Sequence, residues 1–259
     1  MYSLKNKAVL ITGASSGIGK SCARAFAETG ARLILAARRL QRLEELAVEL
    51  KHKPGEDILT LALDVRDQPA VERAVNGLPA EWAAIDVLVN NAGLSRGLDK
   101  LYEGKLDDWE EMIDANIKGL LYVSRAVIPG MVKRGRGHVI NIGSIAGHEV
   151  YPGGNVYCAT KFAVRALSKG MRIDLNGTPI RVSEVAPGMV ETEFSLVRFH
   201  GDKERAGKVY QGLTPLSPDD IADAVVYCAT RPPHVNISEM LVMPTAQAST
   251  TIVHRKSPN

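Results

Sequence analysis

The chain has 259 residues, 45% of them hydrophobic and 24% charged, with a net charge of +3. That balance supplies a sizeable core and argues against disorder, and it is too nearly neutral to point to nucleic acid or an anionic membrane surface. Cys22, Cys158, Cys228 and the six histidines form no metal-ligand spacing, the N-terminus has no cleavable apolar segment, and no apolar run is long enough to span a bilayer. The expectation is a reduced, cytoplasmic chain with no metal, no nucleic-acid partner and no membrane partner.

Short apolar runs alternate with longer amphipathic stretches. Candidate strands are AVLIT (8–12), RLILAA (32–37), ILTLAL (58–63), DVLVN (86–90), HVINIG (138–143), IRVSEV (180–185) and MLVM (240–243). Helix-length segments lie between them, including 17–29, 39–51 and one long stretch over 106–133. This βαβα rhythm predicts an α/β fold: a doubly wound, mostly parallel sheet with helices on both faces. Continuous apolar runs suit parallel strands buried on both sides. In LSPDDIADAVVYCATRP, Ser217 is placed to cap a helix with Pro218 at its first position and Asp219 and Asp220 at the positive end of its dipole. No linker divides the chain, so residues 1–259 read as one domain. The polar tail 245–259 is expected to pack on a neighbouring subunit or to fray.

After the first strand comes TGASSGIGKS, with Gly13, Gly17 and Gly19 opening a helix around Ser15, Ser16 and Ile18. Glycines here let the backbone turn tightly and approach a pyrophosphate, while the helix N-terminus offers oriented N–H groups. In this strand-to-helix context the motif reads as dinucleotide-binding. The second strand ends in LAARRLQR. Arg38 and Arg39 stand where an acidic residue would select the 2′-hydroxyl of NAD, and guanidinium groups grip phosphate, so the preference is for NADP. In LALDVRD, Asp64 is a candidate acceptor for the adenine amino group and Val65 a candidate to line the ring.

Tyr157 and Lys161 stand at i and i+4 of a predicted helix and share one face. An ammonium beside a phenol favours the phenolate and lowers its pKa, which fits Tyr157 to exchange a proton with a carbonyl oxygen. Ser144, just beyond a strand end, is placed to donate to the same oxygen. Asn116 is an amide in a predicted helix interior, a mediocre place for asparagine. NNAG, with Asn91, Ala92 and Gly93, ends the fourth strand.

TGASSGIG, NNAG, Asn116, Ser144, YCATK and PG at 187–188 together resemble the short-chain dehydrogenase/reductase family over nearly the whole chain. The resemblance implies a Rossmann-type, seven-stranded sheet, and usually a homotetramer. It also implies roles. Tyr157 would be the acid/base, Lys161 would hold the nicotinamide ribose, Ser144 would orient substrate, and Asn116 would hold a relay water. Pro187, Gly188, Val190 and Thr192 would meet the nicotinamide carboxamide and the phosphates.

NAGLSRGLDK, YPGGNVYCATK, PGMVETEFSLVRFHGD and PPHVNISEMLVMPTAQ further resemble NADP-dependent 3-hydroxy acid dehydrogenases, which act on serine, allo-threonine and 3-hydroxypropionate or its semialdehyde. The resemblance implies a substrate lid over 189–215. Arg96 and Arg198 are candidates to clamp a small carboxylate or sulfonate, with Tyr151 and Asn155 as further pocket residues. The same chemistry on another carbonyl (sulfoacetaldehyde, a diketone or a bulkier ketone) is the alternative. Intact Tyr157 and Lys161 argue against a non-catalytic NADP-binding sensor.

Overall fold

The structure, a computed structural model, describes residues 2–51 and 57–256. The last three residues of the expected tail lie outside them. Seven strands form one sheet: β1 (Ala8–Thr12), β2 (Arg32–Ala37), β3 (Ile58–Ala62), β4 (Ile85–Asn90), β5 (Gly137–Ile142), β6 (Ile180–Pro187) and β7 (Glu239–Val242). Their order is β3-β2-β1-β4-β5-β6-β7, and every pairing is parallel. The expectation of a mostly parallel sheet is therefore exceeded, and strand bounds fall within one or two residues of the expected ones.

Each crossover carries helix. The longer helices are α1 (Gly17–Glu28), α2 (Leu40–Leu50), α3 (Gln68–Asn76), α4 (Leu106–Ile113), α5 (Leu120–Arg134) and α6 (Asn155–Asp174). Two short helices, α7 (Phe194–Arg198) and α8 (Lys203–Lys208), precede α9 (Pro218–Ala229). Leu33 and Leu35 of β2 bury one way, with α1, α2 and α9; Ile34 buries the other way, with α3, α5 and α6. Strict alternation of apolar residues to two apolar cores is why the strands read as unbroken runs.

Ser217 caps α9 in a capping box with Asp220, as its sequence predicts. The long helix expected over 106–133 is interrupted. Residues Asp114–Gly119 form a π-helical turn between α4 and α5. Within it the Asn116 side chain accepts from Leu94 N at 2.8 Å and donates to Leu94 O at 2.8 Å and Thr160 Oγ1 at 3.0 Å. Such bulges mark functional sites more often than chance.

Over its described part the tail is hydrogen-bonded to its own chain. Gln247 Oε1 accepts from Met189 N at 2.8 Å, Thr250 N donates to Glu149 at 3.0 Å, and Lys256 N donates to Gly212 O at 2.7 Å. Residues 245–256 thus strap the base of the 189–215 segment within their own chain.

Candidate active site

The strand order reverses between β1 and β4, where open α/β sheets place ligands at the C-terminal strand ends. A cleft of about 350 Å³ opens there. It is lined by Gly13, Ser15, Ser16, Gly17, Ile18, Arg38, Arg39, Asp64, Val65, Asn91, Ala92 and Gly93 at one end, and by Ser144, Tyr157, Lys161, Pro187, Gly188, Val190 and Thr192 at the other. Gly19 does not line it. A Cβ at 19 would run into Gly13 O, so this glycine serves the close packing of loop on helix.

The glycine loop is built for an anion. Gly13 and Gly17 have φ of +67° and +50°, where a side chain is strained. Helix α1 has neither a side-chain cap nor an acidic residue in its first turn, so its leading amides face the cleft without a capping partner. Ser16, the capping position, instead accepts from Arg39 Nη2 at 2.7 Å, and Ser15 accepts from Arg39 Nε at 3.3 Å. The buried Thr12 hydroxyl accepts from Asn91 N and Ala92 N, both at 3.0 Å, and Asn91 Nδ2 donates to Thr12 O and Gly13 O. Thr12, which sequence reasoning passed over, locks the two loops together. This glycine cradle, uncapped helix and guanidinium pair fit a dinucleotide carrying an extra phosphate.

The adenosine end is crowded with charge. Arg38 lies 4.0 Å from Glu111 and is half exposed. Asp64 takes three hydrogen bonds from the Arg66 guanidinium at 2.6–3.0 Å; burial raises its pKa, and Arg66 outweighs burial and holds it below the ordinary value. Arg66 also lines the cleft.

At the other end, Tyr157 and Ser144 line the cleft together, and the phenol is buried. Burial pushes its pKa well above the usual value and Tyr151 adds to that, while Arg198 and the Ser144 contact oppose it. The lowering expected from Lys161 is not seen within the protein. The Lys161 Nζ sits 5.9 Å from the phenol ring centre and donates to Ile142 O at 2.9 Å. Burial drives this ammonium down to about 8. Asn116 has both amide hydrogens committed to Leu94 O and Thr160, so a water it orients would use its main-chain carbonyl or the second lone pair of Oδ1.

The four candidates for substrate contact, apart from Ser144, separate. Arg198 stands on α7 against the catalytic end, its guanidinium 5.3 Å from the Tyr157 ring and 5.0 Å from Phe194, donating to Tyr151 Oη at 2.9 Å and Ser95 Oγ at 3.1 Å. Arg96 donates to Glu111 at 2.7 Å and Val197 O at 2.6 Å; like Arg198, Tyr151 and Asn155, it is not among the residues lining the cleft. Its charge is already neutralised by Glu111, whereas Arg198 has no carboxylate partner among the described residues. Asn155 donates to Asp99 O and, with Arg96, borders a void of about 10 Å³ behind Tyr157. Phe194, not singled out beforehand, packs edge-on to Tyr157 at 5.5 Å.

A family model described as short chain dehydrogenase matches residues 7–201. The chain belongs to that family. An NADP-dependent 3-hydroxy acid dehydrogenase of Salmonella typhi is 53% identical over 249 residues, 95% of this chain and 99% of the relative. A solved structure described as the closed form of serine dehydrogenase complexed with NADP+ superposes with a TM-score of 0.91 at 48% identity, over 96% of this chain and 100% of that one. Serine dehydrogenase from Escherichia coli superposes with a TM-score of 0.81 at 44% identity, over 93% and 99%. Among the described residues no group of His, Cys, Asp and Glu could hold a metal, and no helix is long and apolar enough to cross a membrane.

Proposed function

We propose that this chain is an NADP-dependent dehydrogenase of small 3-hydroxy acids, working between the alcohol and its semialdehyde or keto form. The observation that carries the reading is a single cleft in which Ser144, Tyr157 and Lys161 share a wall with the glycine loop and the Arg38–Arg39 pair. The resemblance to 3-hydroxy acid and serine dehydrogenases supports the same activity.

When bound, the nicotinamide supplies or accepts the hydride. Gly13, Gly17 and the leading amides of α1 hold the pyrophosphate, and Arg38 and Arg39 hold the 2′-phosphate. Lys161, as a cation, orients the ribose. Tyr157 gives its hydroxyl proton to the carbonyl oxygen in reduction and takes it back in oxidation, while Ser144 donates to that same oxygen. Arg198 supplies the substrate's carboxylate contact. It is half-buried, borders Tyr157 and has no ion-pair partner among the described residues. Tyr151, bonded to that guanidinium, fixes its direction. The 189–215 segment acts as the lid over these groups.

The buried, unpaired thiols of Cys22, Cys158 and Cys228 support a reducing, cytoplasmic setting. The family resemblance supports a homotetramer.

The test is a steady-state assay following the absorbance of reduced nicotinamide on the purified protein. NADP and NAD are each offered with serine, allo-threonine, 3-hydroxypropionate and a panel of neutral alcohols. NADP-linked turnover of the hydroxy acids is expected. Turnover of neutral alcohols alone would remove Arg198 as a carboxylate ligand while leaving the chemistry of Tyr157 in place.

A further inference from the structure

Behind Lys161 lies a second ionisable side chain that the proposed chemistry does not use. Glu184, on β6 in register with Asn141 of β5 and Glu239 of β7, is fully buried. Neither of its carboxylate oxygens has a hydrogen-bond partner among the described residues. Leaving a buried carboxylate without hydrogen bonds is costly. It is sealed beneath Gly143, where any side chain would collide with Oε1. That glycine joins Ile142, whose carbonyl holds Lys161, to Ser144.

The charges that act on this carboxylate come from two elements. Lys161, Arg165 and Arg172 of α6 are spaced four and eleven apart, so they form one stripe along the helix. Glu239 of β7 adds a like charge. The other heads are engaged elsewhere. Arg165 lies 3.3 Å from Glu239, which also meets His148 at 3.0 Å, and Arg172 donates to Ser238 O at 2.8 Å. Burial and the nearby Arg165 hold His148 below its usual pKa, so it stays uncharged near neutrality. Lys161 is left as a buried cation whose ammonium is held by Ile142 O, one residue before Gly143 that covers Glu184, and the two side chains form no ion pair within 4 Å.

We propose that Glu184 is a positioning residue that acts through Lys161, its carboxylate supplying the field that keeps the lysine a cation. Burial lowers Lys161 to about 8, and the charge that opposes this fall is Glu184. Burial, with Glu239 second, raises Glu184 to about 7, so its support is switched on as pH rises through neutrality, just below the range in which Lys161 would lose its proton. The inference rests on the proposed role of Lys161 and deepens it.

The test compares wild type with Glu184→Gln and Glu184→Asp. Activity is followed from pH 6 to 10, and the Lys161 side-chain resonance is titrated by NMR in the protein without cofactor, assigned through Lys161→Arg. In Glu184→Gln the basic limb of kcat/KM and the Lys161 titration both move down by about one pH unit, the size expected of losing one buried opposite charge outside ion-pair contact at intermediate dielectric. Activity at pH 6.5 stays within about twofold, because Lys161 is still protonated there. Glu184→Asp restores most of the shift. A folded Glu184→Gln whose Lys161 titrates as in wild type overturns the inference. Should that variant not fold, the wild-type spectrum decides: a Lys161 resonance with no inflection near pH 7 overturns it equally. A shifted lysine titration in a protein that turns over no alcohol would instead sink the proposed function and leave this inference standing.

Discussion

Arg39, the residue that leads into α2, donates to the Glu193 carboxylate at 3.0 Å, and Arg42 donates to the other oxygen at 2.8 Å. Glu193 belongs to the segment read as a lid, so a lid carboxylate sits on the guanidinium assigned to the 2′-phosphate. Arg42 first, then Arg39, holds this carboxyl below its ordinary pKa. Both partners are about two-fifths exposed, so the pair is worth at most about 1 kcal/mol. A 2′-phosphate must compete with it for Arg39. Glu193→Gln is therefore expected to tighten NADP binding about two- to fivefold, read by calorimetry, with NAD unchanged. Weaker NADP binding would mean that Glu193 instead holds Arg39 in its binding geometry.

The Arg38 guanidinium is the less engaged of the pair, 4.0 Å from Glu111 and half exposed. Arg38→Asp places a negative charge beside the ribose 2′ position and removes a phosphate ligand. The ratio of kcat/KM for NADP over NAD should fall by at least tenfold, since one charge-assisted hydrogen bond contributes roughly 1.5–3 kcal/mol. An unchanged ratio would move phosphate selection to Arg39 alone.

Tyr157 is buried against Phe194 and lines the cleft beside Ser144, so Tyr157→Phe removes one oxygen from a packed setting. Turnover should drop by at least ~10²–10⁴, the usual contribution of a positioned acid/base. The NADPH dissociation constant, measured by fluorescence, should change little. Loss of binding and turnover together would give Tyr157 a structural task instead.

These expectations rest on groups that differ in how readable they were. The strands came through because doubly buried parallel strands must be apolar throughout, as Leu33–Leu35 are. Tyr157 and Lys161 came through because their spacing is fixed by a helix, and the glycine loop because its positions need a backbone conformation few residues tolerate. Partnerships across the fold left no such trace. Arg96 and Arg198 looked alike in sequence, yet Glu111 claims the first and aromatic rings surround the second. Glu193 and Arg39 lie 154 residues apart and meet only in the folded chain. The partners of Asn116 in the π-helical turn were hidden for the same reason: they are the loop at Leu94 and a threonine on α6.

Arg198 has a separable consequence. Arg198→Met keeps much of the stem that packs near Phe194 and removes the charge. KM for hydroxy acids should rise at least tenfold, whereas turnover of neutral alcohols should change less than threefold. Equal losses on both would point to the cation's effect on Tyr157 rather than to a carboxylate contact, since Arg198 also opposes the upward shift of that phenol.

Glu184 makes a prediction about stability with a definite sign. Its folded-state value of about 7 lies above the ordinary carboxyl value of 4.5, so the native state holds a proton that the unfolded chain has released between those limits. Stability from this group is complete below pH 4.5 and is lost as pH rises through 7. Glutamine at 184 does not ionise, so the loss should be absent in Glu184→Gln. The difference in melting temperature, variant minus wild type, should therefore grow more positive from pH 5 to pH 8 by several degrees, corresponding to roughly 2 kcal/mol. A difference that stays flat across that range would mean that Glu184 is already ionised at pH 5 in the folded protein. Its field on Lys161 would then be constant and could not switch on near neutrality.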